Sequence, residues 1–247
     1  MIRLEIAGPI AVATLARPPV NAIDEAWIER LQEVVRAPGS ARVLLVRSGE
    51  RAFSAGADLA LMRARFDSEA GRAQMVALAR AMQRAYAALE ASPVVSIAEI
   101  GGPAMGGGLE LALACDFRVA SLDAKLGLPE ARLGLLPGAG GTQRLTRLCG
   151  APTAKRLILG AEVVDGAEAA RLGIVHWAVP PPALPARAMQ FAQDLAALPA
   201  ESLAACKRCI AAAHGAEGYE LELEATGMLL AGAETQRRVR AFLEKRR

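Results

Sequence analysis

Val94-Val95-Ser96-Ile97-Ala98 leads into Gly101-Gly102-Pro103-Ala104-Met105-Gly106-Gly107-Gly108-Leu109-Glu110, and the chain continues as Leu111-Ala112-Leu113-Ala114-Cys115. The first segment has the unbroken apolarity of a buried strand and the last reads as a helix. Five glycines in the eight residues from 101 to 108 join them. A strand that turns through glycines into a helix points to an α/β protein, and a backbone without Cβ atoms can come very close to a ligand. Glu110 falls in the first turn of that helix, beside orphan N–H groups and the positive end of the helix dipole, a place suited to developing negative charge. The same residues also fit a plain strand-to-helix turn capped by a glutamate.

Two nucleotide-binding patterns fail on this stretch. The dinucleotide pattern needs glycines at offsets 0, 2 and 5, and no register between Gly101 and Gly108 supplies them. The P-loop needs a lysine after its last glycine, and Gly106 is followed by Gly107.

The 247 residues are enough for a substantial core, and 53% hydrophobic with 22% charged residues is the balance of an ordinary globular protein. The longest run without Asp, Glu, Lys or Arg, Leu172 to Ala186, contains Pro180, Pro181, Pro182 and Pro185, so no membrane span is expected there. Met1-Ile2-Arg3-Leu4-Glu5-Ile6 alternates instead of forming the apolar core of a signal peptide, and a cytoplasmic location is expected. Cys115, Cys149, Cys206 and Cys209 do not make a disulfide framework. Cys206-Lys207-Arg208-Cys209 lies in an Ala-rich helical run without the preceding strand of a redox motif, His214 is the only histidine near it, and no metal site is expected. His176 reads as a structural histidine. Residues 237–247 hold six cations and one Glu, a basic end that fits a solvated helix, nucleic acid or a ligand's phosphates. Aromatics are only 4% of the chain, which argues against nucleic acid.

Along the chain, Ile2, Leu4, Ile6 and then Ile10, Val12, Thr14 alternate around Gly8-Pro9 as a hairpin. A helix is expected from about Asp24 to Val35, a buried strand over Val43-Leu44-Leu45-Val46, and a small-residue loop, Ser48 to Asp58, at that strand's carboxyl end, where α/β proteins usually bind ligands. A long helix follows from about Glu69 to Leu89, its methionines and Tyr86 read as core. Phe117-Arg118-Val119-Ala120 and Lys125-Leu126-Gly127 read as short strands. From Gly150 onward the chain reads as helical, beginning near Pro152, apart from Ile174 to Val179. Tyr219 to Glu224 alternates with strand period, yet its Leu and Glu residues favour helix. Glu130 follows a proline among apolar residues, surroundings that raise a carboxyl pKa; taken alone, an exposed loop glutamate fits as well.

Phe53-Ser54-Ala55-Gly56-Ala57-Asp58-Leu59, the glycine loop through Glu110, and Pro129-Glu130 with Pro137-Gly138-Ala139-Gly140-Gly141-Thr142-Gln143-Arg144-Leu145 occur in that order. Together they resemble the hydratase branch of the enoyl-CoA hydratase/isomerase (crotonase) family over nearly the whole chain. The resemblance implies an α/β spiral of ββα units over residues 1–185, a C-terminal helical oligomerisation region over 186–247, and homotrimers or homohexamers. It implies an acyl-CoA thioester substrate, with coenzyme A arriving as part of it and neither a separate cofactor nor a metal. The backbone N–H groups of Ala57 and Gly107 would form an oxyanion hole. Glu110 would hold a water, Glu130 would exchange a proton with the α-carbon, and Gly138 would help to position the water. Arg51, Asp58, Leu59, Phe242 and Lys245 would contact substrate or coenzyme A. Pro19, Ala60 and Gly101 stand where the family often has Lys, Lys and Asn, leaving Arg17 as a candidate for the nucleotide end. The rival expectations are a Δ3,Δ2-enoyl-CoA isomerase, which needs only the Glu130 carboxylate, and an RNA-associating homologue using the basic terminal helix.

Overall fold

The computed structural model describes residues 1–213 and 215–244. The chain opens with β1 (Ile2–Ala7) and β2 (Ile10–Leu15), paired antiparallel, then α1 (Glu25–Arg36) and β3 (Val43–Ser48). Next come α2 (Leu59–Arg65), α3 (Glu69–Ala91), β4 (Val95–Ile100), the two-residue β5 (Ala104–Met105) and α4 (Gly107–Ala114). β6 (Phe117–Ser121), β7 (Lys125–Gly127), a 3-10 turn (Pro129–Leu133), α5 (Gly141–Ile158), β8 (Val163–Asp165) and α6 (Gly166–Arg171) follow. β9 (Trp177–Val179), a second 3-10 turn (Pro181–Ala183) and helices α7 (Leu184–Ala196), α8 (Ala200–Ala211), α9 (Gly218–Ala231) and α10 (Ala233–Glu244) complete the fold.

β1-β2-β3-β4-β6-β9 form one sheet, parallel after the hairpin, and β5-β7-β8 a smaller one. Each turn of the chain places a strand in the large sheet, a short segment against the small sheet, and then a helix. β4-β5-α4 and β6-β7 with the helix beyond are two such turns. β3 joins them because Ser54, in the loop after it, bridges to Ala104. This is the expected ββα spiral. The large sheet reads as apolar runs because both its faces are covered. On one face Ala98 and Ile100 pack with Trp27, Leu31, Tyr86 and Leu109 of the intervening helices. On the other, Val43, Leu45, Val95 and Ile97 meet Leu184, Ala188, Ala192 and Leu195 of α7.

Four elements differ from expectation, each for a local reason. α2 is nucleated by Asp58, whose carboxylate accepts from the N–H groups of Ala60 (2.9 Å) and Leu61 (3.2 Å). α5 begins at Gly141 instead of Pro152. Its N-cap is Gly140 at φ 105°, and Gly150 at φ 76° breaks it, so a glycine-rich opening hid a helical turn. β8 has three residues, too few to show a period, and exists through its pairing with β7. The last strand starts at Trp177 instead of Ile174, because the N–H groups of Ile174 and Val175 bind the Ala169 carbonyl of α6 and the Arg118 N–H of β6 binds the His176 imidazole Nδ1 instead of a strand carbonyl. Tyr219 to Glu224 is helical, within α9. All four cysteines are free thiols.

Candidate active site

The loops that follow β3 and β4 meet so closely that they require glycine. A Cβ on Gly108 would lie 2.3 Å from the backbone carbonyl oxygen of Ser54. Gly56, at φ 88°, would place one 2.8 Å from the carbonyl of Met105 and 3.0 Å from the nitrogen of Gly107. Asn21, fully buried, ties the preceding segment to this junction, its Nδ2 donating to Ser48 Oγ and to the carbonyls of Ala52 and Phe53.

That junction presents two backbone donors. Ala57 forms a parallel bridge with Ile23, but the hydrogen bonds of the bridge run from Ile23 N–H to Gly56 and from Asp58 N–H to Ile23. The N–H of Ala57 therefore points away from Ile23. Gly107 is the first residue of α4, where a helix cannot satisfy its own N–H. Among the described residues no backbone acceptor takes either group. The Gly107 carbonyl is held by the buried Tyr86 hydroxyl at 2.9 Å.

Both glutamates face the same cavity, of about 470 Å³. Glu110 is 2% exposed, and its Oε1 accepts from the N–H groups of Ala139 (2.8 Å) and Gly141 (2.7 Å). Burial pushes its carboxyl up to about 7; the N–H of Gly141 opposes this, the neighbouring Glu130 adds to it, and the N–H of Ala139 and the Arg144 guanidinium oppose it. Glu130 sits in the first 3-10 turn. Burial raises its carboxyl, its own N–H opposes, and its Oε2 is buried without a hydrogen-bond partner. The remaining wall is apolar and includes Leu59, Met62, Met75, Met82, Leu133 and Leu136.

Ala57, Gly107, Glu110, Glu130, Gly138 and Leu59, far apart in sequence, thus share one cavity. Asp58 does not line it: Asp58 caps α2 and pairs with Arg17 at 3.0 Å, and the Leu61 N–H, Arg17 and the Ala60 N–H hold its carboxyl low. Arg17 also pairs with Asp24 at 2.9 Å and donates to the Ala22 carbonyl, so it braces this loop. Arg51 is exposed on the loop after β3, and Phe242 is exposed on α10; neither is part of the cavity wall. Lys245 and His214 lie outside the described residues. Met75 and Met82, read as core, line the cavity as well as packing. Asn21, Gln83, Glu90 and Arg144 carry no functional signal in the sequence, and Tyr86, read as core, is buried and also reaches the site through its hydroxyl. Arg144 lies in the Gly140-Gly141-Thr142-Gln143-Arg144 run, but its spacing carries no information about what it touches. On α10, Arg237 and Arg238 both pair with Glu234, which offsets part of the basic end.

A ββα spiral that brings two backbone N–H groups and a pair of buried carboxyls to one cavity defines a class of enzyme site suited to stabilising developing negative charge and moving protons. The chain belongs to the enoyl-CoA hydratase/isomerase family, whose sequence pattern matches residues 5–247. It is 36% identical to the crotonyl-CoA hydratase of Syntrophomonas wolfei over 100% of this chain and 96% of that protein. Two solved structures superpose over 99% of the chain: enoyl-CoA hydratase from Bacillus anthracis (TM-score 0.92, 32% identity, 96% of that chain) and DspI of Pseudomonas aeruginosa (TM-score 0.91, 36% identity, 94% of that chain).

Proposed function

We propose that the protein adds water reversibly across the double bond of a 2-trans-enoyl-CoA to give a 3-hydroxyacyl-CoA. The observation that carries this reading is the pair Glu110 and Glu130 in one cavity with the N–H groups of Ala57 and Gly107. Attack at the β-carbon places negative charge on the thioester oxygen, and two fixed N–H donors, one at a helix N-terminus, stabilise it. In this reading Glu110 is the ionised partner, because two N–H groups already favour its carboxylate; it orients the water and accepts its proton. Glu130, with an unpartnered buried oxygen, carries the proton delivered to the α-carbon. Oxygen joins the β-carbon and hydrogen the α-carbon, and a proton passing from Glu110 to Glu130 resets the pair. Both proton movements are assigned to side chains, so the only coenzyme in the scheme is the one carried by the substrate. The apolar wall suits an acyl tail without polar groups.

An isomerase would need no water-holding Glu110, and the hydrogen-bonded, buried Glu110 favours the hydratase. The test mixes purified protein with crotonyl-CoA and follows loss of the conjugated thioester absorbance. The expected result is loss to a hydrated equilibrium; inactivity on short, medium and aryl-substituted enoyl-CoAs alike overturns the reading.

The C-terminal helices support assembly. Ile210, Tyr219, Leu223, Met228, Leu230 and Leu243 of α8 to α10 are large apolar residues more than half exposed in the single chain, a pattern typical of subunit contacts. We assign residues 186–247 to subunit association in homotrimers or homohexamers. Light scattering should give three or six chain masses; a monomer at micromolar concentration would refute this. Among the described residues no helix is long and apolar enough to cross a membrane. With four free thiols, the cytoplasm is the compartment proposed.

A further inference from the structure

The loop that holds Glu110 is itself held, one peptide at a time. The Gly138 carbonyl accepts from Gln83 Nε2 at 2.7 Å, and the N–H of that same peptide unit, on Ala139, binds Glu110. The Ala139 carbonyl accepts from Arg144 Nη1 at 2.8 Å. The Gly140 carbonyl starts α5 by accepting from the N–H groups of Gln143 and Arg144, and the N–H of its peptide, on Gly141, is the second donor to Glu110. Arg144 cannot swing away. Glu90 grips it through two bonds, Nε to Oε1 at 2.8 Å and Nη2 to Oε2 at 2.6 Å, and its guanidinium carbon stands 6.0 Å over the Tyr86 ring. It also rests on Gly140, where a Cβ would come within 2.2 Å of Nη1. Gln83, Tyr86 and Glu90 recur three and four residues apart, so one stripe of α3 reaches the water-holding loop through Gln83 and Arg144 and the oxyanion donor Gly107 through Tyr86.

We propose that Arg144, anchored by Glu90, is a positioning residue that aims the Ala139 and Gly141 N–H groups at Glu110 and so fixes where the attacking water sits. This rests on the hydratase reading above. A planar fork suits the task because Arg144 must hold a carboxylate on one edge and a carbonyl on another at fixed angles, which the single ammonium of a lysine cannot reproduce. The Arg144 charge also opposes the upward push of burial on Glu110, so its removal would raise that carboxyl further.

The test compares wild type, Arg144→Gln, Arg144→Lys and Glu90→Gln in crotonyl-CoA hydration across pH. Arg144→Gln should lower kcat by about a hundredfold with little change in KM, since misplacement by roughly 1 Å costs about that much. Its acid limb should move to higher pH, because Glu110 must be ionised to work. Arg144→Lys keeps the charge and loses the fork: its acid limb should stay near wild type while kcat falls. Glu90→Gln should lower kcat with a smaller pH shift. In a Glu110→Gln background, Arg144→Gln should change kcat by no more than about twofold, because its effect runs through Glu110. An unmoved acid limb in Arg144→Gln, or full additivity with Glu110→Gln, overturns the proposal. A wild type that hydrates no enoyl-CoA sinks the hydratase reading instead. In that case titration of 13C-labelled glutamate carboxyls in folded Arg144→Gln still reads the positioning directly, an unmoved Glu110 signal refuting it.

Discussion

Glu130→Gln lowers kcat for crotonyl-CoA hydration by about 10²- to 10⁴-fold, the range a positioned proton donor contributes. Gln keeps the size and polarity of the side chain and removes only the proton that would go to the α-carbon. Glu110→Gln should lower hydration over a similar range, for a different reason: the amide still accepts from Ala139 and Gly141 but cannot take the water's proton. The two separate on a 3-enoyl-CoA. There a shift of the double bond needs one proton shuttle, so Glu130→Gln abolishes it while Glu110→Gln leaves it largely in place. If Glu110→Gln hydrates as fast as wild type, water activation does not reside at Glu110.

The pH dependence follows from the same two groups. Glu110 must be ionised, so the acid limb of hydration should fall near pH 7, where burial sets its carboxyl, and Glu110→Gln should lose that limb. Stability runs the other way. An acid whose folded pKa is raised weakens the fold as pH climbs from its unfolded value, near 4.3, through its folded value. Glu110→Gln should therefore melt at a higher temperature than wild type at pH 8 and show no such gain near pH 4. Thermal melts at the two pH values check this and also establish that the inactive variant is folded.

Gly108→Ala should remove both stability and activity. The added methyl would sit 2.3 Å from the Ser54 carbonyl oxygen and 2.7 Å from the Ser54 Cβ. Ser54 has nowhere to go: its N–H binds the Pro103 carbonyl, its carbonyl the Met105 N–H, and its hydroxyl the Asn21 carbonyl at 2.7 Å. Relief comes only by separating the loops that carry Ala57 and Gly107. Overpacking of this kind costs about 1 to 3 kcal/mol or more, and loss of one oxyanion donor costs roughly a hundred- to a thousandfold in rate. Gly227→Ala on α9 is the internal control. Nothing lies within 4 Å of its Cβ position, so the same substitution should stabilise by about 0.4 to 1 kcal/mol. If the two variants melt alike in denaturant, the close approach at Gly108 is not what its glycine is for.

Much of the fold is written in local periods. The apolar run of β3 and the three-four spacing in α3 each reflect a surface that one element must bury, and such patterns survive in the residue order. The alternation read in β1 and β2 located the hairpin but not its burial, since all six residues of β2 are buried and Ile6 of β1 is exposed. The glycines at 106–108 and the acids at 110 and 130 were visible for the same reason, as residue types at fixed positions. Elements that depend on partners were not. β8 exists because β7 lies beside it, and the first turn of α5 begins on glycines whose propensity argues against helix.

By itself, then, the residue order determined an α/β chain with a glycine-rich strand-to-helix turn and two acids able to serve a common site. Only the tertiary structure decided what those acids do to each other and who holds them. Glu110 takes its donors from 29 and 31 residues away, and Arg144 takes its anchor from 54 residues away. It also decided that Asp58 and Arg17 brace a loop instead of facing the cavity. The physical reason is that propensity and burial are properties of a segment, whereas a hydrogen bond's direction and the near-contact of two backbones belong to a pair, and no single stretch of sequence carries both halves of the pair.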